Sequence, residues 1–308
     1  MPGQDGDGWA RCGRGHRHWG RFGAVGLLAW DGPGAGDGAA GPDAPDAPDG
    51  ADRVLLVERS WWSHHGGTWG TPGGARDSDE PALAAAQREA WEECGLPPDG
   101  VTVAAVLNDD HGGWSYQTFL ATAAGPPPVR AASAEITDAR WVDVAEVTSL
   151  PLHPGFAGQW PLLRSALAPV TVVVDAANVM GSRPDGWWRD RAGAAARLHG
   201  QLAGLAGRGL PTLPVEPALP ALTRWYPDFV LVVEGAARRA ELPPARRVRA
   251  VSAPGSGDDA IVAQAAALPG RRLVVTADRE LRRRCQAAGA SVTGPGWLLG
   301  LLGGSRAG

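Results

Sequence analysis

Glu80, Arg88, Glu89, Glu92 and Glu93 lie between two glycines, Gly74 and Gly95, in the run GARDSDEPALAAAQREAWEECGL. Residues 82–94 are rich in helix formers, Pro81 suits the opening turn of a helix, and Gly95 suits a left-handed stop. On such a helix Glu89 stands three residues from Glu92 and four from Glu93, which puts three carboxylates on one face. Three like charges there repel unless a cation neutralises them. Hard oxygen ligands of this kind suit Mg2+ or Mn2+, with substrate phosphates completing the coordination shell. A merely solvated acidic face leaves Gly74, Glu80, Arg88 and Gly95 unexplained.

Strands must flank that helix. Residues 22–30 (FGAVGLLAW) and 53–58 (RVLLVE) are apolar runs of strand length, and residues 136–147 (ITDARWVDVAEV) read as a later strand leading into a helix start. The spacing G, five residues, E, seven residues, REAWEECGL resembles the Nudix box, with Ala90 where a larger aliphatic residue is common. WGTPGG at 69–74 is similar to the family's lead-in, and ITDARWVDVAEV to its late strand. The resemblance implies a Nudix hydrolase, an α/β/α sandwich with a mixed sheet. The implied reaction is cleavage of a nucleoside diphosphate linked to some moiety X by metal-assisted attack of water on phosphorus. It makes Glu89, Glu92 and Glu93 metal ligands and pairs Arg88 with Glu80. Glu93, Glu92 and Arg88 then carry the catalysis, joined by Glu135 where some members place an extra carboxylate. Gly74, Glu80 and Gly95 are the structural part of the box.

Other residues border this region. Trp61, Trp62, His64 and His65 precede Trp69, and aromatic or imidazole rings at that place can stack on a base, so Trp69, His64 and His65 are expected to bind substrate. The segment NDDHGGWSY at 108–116 reads as a substrate-facing turn before the strand YQTFLA. Nearer the start, Cys12, His16 and His18 form C-x3-H-x-H, but zinc needs about four ligands and the segment offers no fourth. It is expected to lie against the Nudix body. Residues 31–52, rich in Gly, Pro, Asp and Ala without a bulky apolar side chain, read as a disordered hairpin insertion.

The 308 residues leave room for two domains, and charge divides them. Residues 1–167 hold 11 Arg against 22 acidic residues, a net of −11; residues 168–308 hold 18 Arg against 11, a net of +7. All 29 basic residues are Arg, which with 44 Gly points to compositional bias, so Arg abundance alone is no sign of nucleic-acid binding. Three widely spaced cysteines give no disulfide framework and fit a reducing cytoplasm. No basic segment with an apolar core opens the chain and no apolar run approaches about 18 residues, so a cytoplasmic protein without membrane contact is expected.

In the second half, strands alternate with helices: TVVVD, FVLVVE, VRAVS and RLVVTAD, interleaved with helical stretches. That order predicts a parallel, doubly wound sheet, whose crevice lies at the carboxyl ends of the strands. Asp175, Glu234 and Asp278 each close a strand there, and Asp258 and Asp259 open a helix. The pattern D-x-x-N after the first strand, D-D-A-I at a helix start and T-A-D-R after a late strand resembles the PIN/NYN nuclease group. The resemblance implies a Rossmann-like domain binding Mg2+ or Mn2+ for RNA hydrolysis. Asp175, Asp258 or Asp259, and Asp278 would be the metal ligands, with Asn178 orienting the first. Arg279 and Arg282 then stand among the arginines for RNA phosphates.

The combined expectation is a Nudix phosphohydrolase at 1–167 joined to a PIN/NYN-like domain at 168–308, with a nucleotide substrate and RNA as partners. The competing reading is a regulator that senses nucleotide or binds RNA without turnover. The complete REAWEE set argues against it, because binding alone does not need three metal carboxylates.

Overall fold

The computed structural model describes residues 5–31, 53–123 and 125–303. They cluster into two compact units, Met1–Leu167 with Pro220–Thr223, and Ala168–Leu219 with Arg224–Gly308. No helix among the described residues is long and apolar enough to cross a membrane.

The first unit opens with a hairpin, β1 (Trp9–Arg11) and β2 (Arg17–Trp19). Its main sheet is mixed. β3 (Ala24–Asp31) is buried along nearly its whole length, as a central strand covered on both faces must be. It runs parallel to β8 (Ser115–Ala123) and antiparallel to β4 (Arg53–Arg59) and β6 (Gly73–Ala75). β4 in turn pairs with β5 (Trp69–Gly70) and β9 (Ile136–Asp143), and β7 (Val101–Asp110) pairs with β8. Helix α1 (Ala82–Cys94) packs on β3 and β6. Its buried face is Ala85, Ala86, Ala90 and Cys94 together with Glu93. A larger residue at 90 is not needed, because Ala90 is already fully enclosed. Helix α2 (Pro154–Ser165) reaches the sheet where Gln159 meets Thr118.

One local expectation is corrected. Asn108–Asp110 are strand, not turn, because antiparallel pairing continues as far as Asp110↔Ser115 and confines the reversal to residues 111–114.

The insertion expected at 31–52 falls on residues 32–52, outside the described residues. Its two ends, however, are set by strand pairing: Asp31 stands opposite Arg53 and the two form a 2.6 Å ion pair. Joining them by a short Gly-containing hairpin is therefore expected to leave the thermal midpoint and the turnover of the first unit nearly unchanged. A large loss of either in a melting and activity comparison would show that the segment packs on the domain.

The second unit is built on five parallel strands: β10 (Val170–Asp175), β12 (Asp228–Val233), β13 (Val248–Ser252), β14 (Arg271–Val275) and β15 (Ser291–Thr293). A short β11 (Arg224–Trp225) bridges Leu210 instead of joining them. Their spatial order, β13-β12-β10-β14-β15, reverses direction at β10 and so leaves a crevice at that strand's carboxyl end. Helices α3 (Ala176–Gly181), α4 (Arg191–Arg208), α5 (Gly257–Ala267), α6 (Arg279–Ala287) and α7 (Pro295–Gly303) complete it. Val173, Val230, Val232 and Val274 pack against Ile261, Leu281 and Cys285 in one core. Each unit thus has a cysteine at zero exposure, Cys94 in the first and Cys285 in the second.

Candidate active site

Pro81 precedes α1 and no side chain caps its start, so the Ala-rich sequence and its packing carry the helix. Gly95 ends it in the left-handed conformation, φ 73°, with its N–H on Trp91 O and the Leu96 N–H on Ala90 O.

That geometry aims the three glutamates differently. Glu93, 6% exposed, accepts a 2.8 Å hydrogen bond from the Gly73 N–H. Glu89 lies under Gly74, where a Cβ would stand 2.6 Å from its carboxylate carbon, so any side chain at 74 would push that carboxylate out of place. Glu92 is on the rim, its side chain 46% exposed. Arg88 ties the group together: it donates to both oxygens of Glu80 (2.9 and 3.0 Å), to Glu89 at 2.8 Å, to Glu92 at 3.2 Å and to the Ala75 carbonyl. A planar guanidinium with five donors suits this role, where a lysine's point charge does not.

The electrostatics fit a cation. Burial pushes the Glu89 carboxyl up to about 7, against the pull of Arg88. Burial pushes Glu93 up to about 8, against the Gly73 hydrogen bond. The Arg88 hydrogen bonds hold Glu80 below the usual carboxylate range. Two carboxyls raised by desolvation beside an Arg-bound, ionised one are groups that a divalent cation relieves. Glu135 is exposed, but its charge acts on Glu93.

The expected substrate side chains gather at one rim. His64 and His65 contact one another, and His65 contacts His153, with ring centroids 4.1 and 4.7 Å apart. His65 holds a left-handed backbone, φ 57°, which is strained for a residue with a side chain. Trp69 is buried at 4%, with Arg140 over its ring, so it packs the loop instead of facing solvent. Sequence reading missed three neighbours. His153 is drawn in by its cap on α2, where burial pulls it down to about 4. Arg59 donates to the His64 carbonyl and its charge acts on Glu93. Trp9, 46% exposed, makes an edge contact with His64. Strand pairing and loop packing bring these together, and no local motif signals them.

In the second unit Asp175 is 5% exposed at the end of β10. One of its oxygens accepts the Asn178 N–H at 3.0 Å, the other the Thr276 hydroxyl at 2.9 Å. Asn178 accepts from Ala277, and Asp278 caps α6 through the Leu281 N–H. Asp258 is held above the usual range by desolvation and then by the charges of Asp278, Asp175 and Glu234. Asp259 is turned away and paired with Arg284 at 2.6 Å. Of the two alternatives at the helix start, Asp258 faces the other acids. Glu234, outside the ligand set that the PIN/NYN resemblance implies, joins them by accepting from the Gly257 N–H. Arg279 opens α6 and is exposed, with Arg282 one turn on. Neither acidic group, in α1 or here, brings three ligand oxygens within 4.8 Å of one another; among the described residues only two histidine-containing sets gather that closely.

Comparison with known proteins places the first unit. The NUDIX domain family matches residues 46–165. Over 174 residues the chain is 44% identical to the "Putative 8-oxo-dGTP diphosphatase 3" of Mycobacterium tuberculosis, an alignment covering 54% of this chain and 72% of that protein. It is 34% identical over 167 residues to a nucleoside triphosphate pyrophosphatase/Nudix hydrolase fusion protein of Bifidobacterium longum, covering 53% of this chain and 32% of that one. A solved Nudix hydrolase from M. smegmatis, RenU, is similar at 42% identity with a TM-score of 0.44, covering 52% of this chain and 93% of that one. With the Gly74–Gly95 box built as described and two thirds of a 44% identical relative covered, the chain belongs to the Nudix family.

Proposed function

We propose that residues 1–167 form a Nudix domain that hydrolyses a pyrophosphate bond in a nucleoside diphosphate linked to X, using Mg2+ or Mn2+. The observation that carries this reading is the pair of carboxylates, buried Glu93 and half-buried Glu89, held under Gly73 and Gly74 with Arg88 and Glu80 behind them. Glu89, Glu92 and Glu93 would hold the cation, which neutralises phosphate charge and activates water. Water's oxygen would join one phosphorus as its proton passes to a carboxylate of the site, the bridging P–O bond would break, and the bridging oxygen would leave with the other phosphate. Glu135, whose charge acts on Glu93, would serve as a further base, and Arg88 would position the ligands. His64, His65 and the exposed Trp9 offer ring faces to a base.

The name of the M. tuberculosis relative makes an oxidised purine nucleoside triphosphate the first substrate to try. Purified protein with Mg2+ is assayed against 8-oxo-dGTP, unmodified nucleoside triphosphates, ADP-ribose and dinucleoside polyphosphates, reading phosphate, pyrophosphate and nucleoside monophosphate. Turnover of at least one substrate, dependent on the divalent cation, is expected. No turnover across the panel would leave the regulator reading in its place.

For residues 168–308 the convergence of Asp175, Glu234, Asp258 and Asp278 favours a second, PIN/NYN-like metal-dependent nuclease or RNA-binding module. A positively charged half with net +7 suits an RNA backbone.

A further inference from the structure

Far from α1 in sequence, the two turns at residues 12–16 and 111–114 meet. Cys12 and His16 close the β1–β2 turn, Cys12 N–H donating to the His16 carbonyl at 3.0 Å. His18 lies in β2, two residues beyond His16, with 6.2 Å between their ring centroids. The hairpin is seated on the β7–β8 turn by Arg14 on the Asp110 carbonyl, by Gly13 N–H on the Gly112 carbonyl, and by the Trp114 indole on the Gly20 carbonyl. Trp114 stacks on His18 with 4.0 Å between ring centroids, and Cys12 packs against Trp114 and Ala24. The result places His111 beside the other three. One ligand atom from each of Cys12, His16, His18 and His111 lies within 4.8 Å of the others.

Two features ask for a ligand. His18 Nε2 and His111 Nδ1 are buried without a hydrogen-bond partner, and each such orphan costs about 1–3 kcal/mol. His111 also has its outer nitrogen, Nε2, 3.2 Å from the Asp109 carboxylate. That is how a metal-bound histidine is oriented from behind, its other nitrogen aimed at the ion.

We propose that Cys12, His16, His18 and His111 form a structural zinc site that fastens the β1–β2 hairpin to the β7–β8 turn. One thiolate and three imidazoles are a borderline-soft set that suits Zn2+ and not Mg2+. With four protein ligands the site is closed, so it staples the fold and leaves the hydrolytic chemistry to α1. A tetrahedral ion with Zn–S of about 2.3 Å and Zn–N of about 2.0–2.1 Å needs its ligand atoms about 3.5 Å apart, a closure that small side-chain rotations supply. Sequence spacing alone gave C-x3-H-x-H with no fourth ligand; the fourth lies 93 residues beyond His18, brought in by the docked turn.

The test uses the full chain purified without chelator and dialysed against excess Mg2+, with metal content read by mass spectrometry. One equivalent of zinc is expected in the wild type and almost none in Cys12→Ser, His111→Ala or His16→Ala. His16 is exposed, so its replacement leaves the packing intact and keeps the result interpretable if the buried variants fold poorly. Replacing zinc with Co2+ should give tetrahedral visible bands and a near-ultraviolet thiolate-to-cobalt band that Cys12→Ser abolishes. Chelation should lower the melting temperature of the wild type and leave that of His16→Ala unmoved. A wild type free of zinc and unable to take up Co2+ with a thiolate band overturns the proposal. So does zinc retained undiminished in both Cys12→Ser and His16→Ala.

Discussion

Glu93→Gln is expected to lower kcat on the best nucleotide substrate by about 10²–10⁴-fold, the several kcal/mol of metal activation at 1.36 kcal/mol per tenfold. The substitution keeps size and keeps an oxygen to accept the Gly73 N–H, so the fold survives and only the charge goes. Glu92→Gln is expected to cost far less, since that side chain is half exposed and shares its guanidinium with two better-placed acids. Steady-state rates at saturating Mg2+ with a Mn2+ titration of each variant check both. A second sign comes from pH. With Glu89 pushed up to about 7 and Glu93 to about 8, the metal-free site holds protons near neutrality, and a cation must displace them. Metal affinity should therefore rise from pH 6.5 to 8.5 in the wild type, with a shallower rise in Glu93→Gln. Near wild-type turnover in Glu93→Gln would remove Glu93 from the chemistry.

Asp175→Asn is expected to abolish Mn2+-dependent cleavage of single-stranded RNA by the full chain while leaving salt-sensitive RNA binding in place. Asparagine can still accept from the Asn178 N–H, and its amide can donate to Thr276 once that hydroxyl turns. The change is thus electrostatic: it removes a buried carboxylate whose charge acts on Asp258 and on which Glu234 acts. Asp259→Asn, which disturbs only the ion pair with Arg284, should leave cleavage nearly intact and serves as the control. Gel shifts and cleavage of a labelled oligonucleotide across a salt series read both effects. Cleavage that survives Asp175→Asn, or a chain that binds no RNA, would make the second unit a scaffold.

How much was legible follows from how local each signal is. The box on α1 could be read because its cap, its ion pair and its carboxylates sit within 22 residues, on a helix whose period fixes which side chains align. The parallel sheet was legible from alternating strand and helix patterns, and the acids at its edge from where each strand ends. Choosing Asp258 over Asp259 was not, since one residue is about 100° of helix rotation and the boundary sets the phase. Glu234 could be read as closing its strand, while its place beside Asp175 comes from register: Asp175 pairs with Val232 on β12, and Glu234 follows two residues later. Asn108–Asp110 were mistaken for turn because their polar side chains outweighed a pairing visible only in β8. The histidines at 111 and 153 carry no motif, and the pairing of His111 with Cys12, His16 and His18 is set by turns that dock on one another.

The fully enclosed cysteines have a practical consequence. Cys94, bonded to the Ala90 carbonyl, and Cys285 in α6 are sealed in the cores of different units, and burial raises their thiols to about 12 and about 11. Neither reacts with a thiol reagent until its own core opens, because the thiolate is scarce and the sulfur unreachable. Labelling rates at the two positions, separated by peptide mapping, therefore act as independent clocks for the breathing of each unit under native conditions.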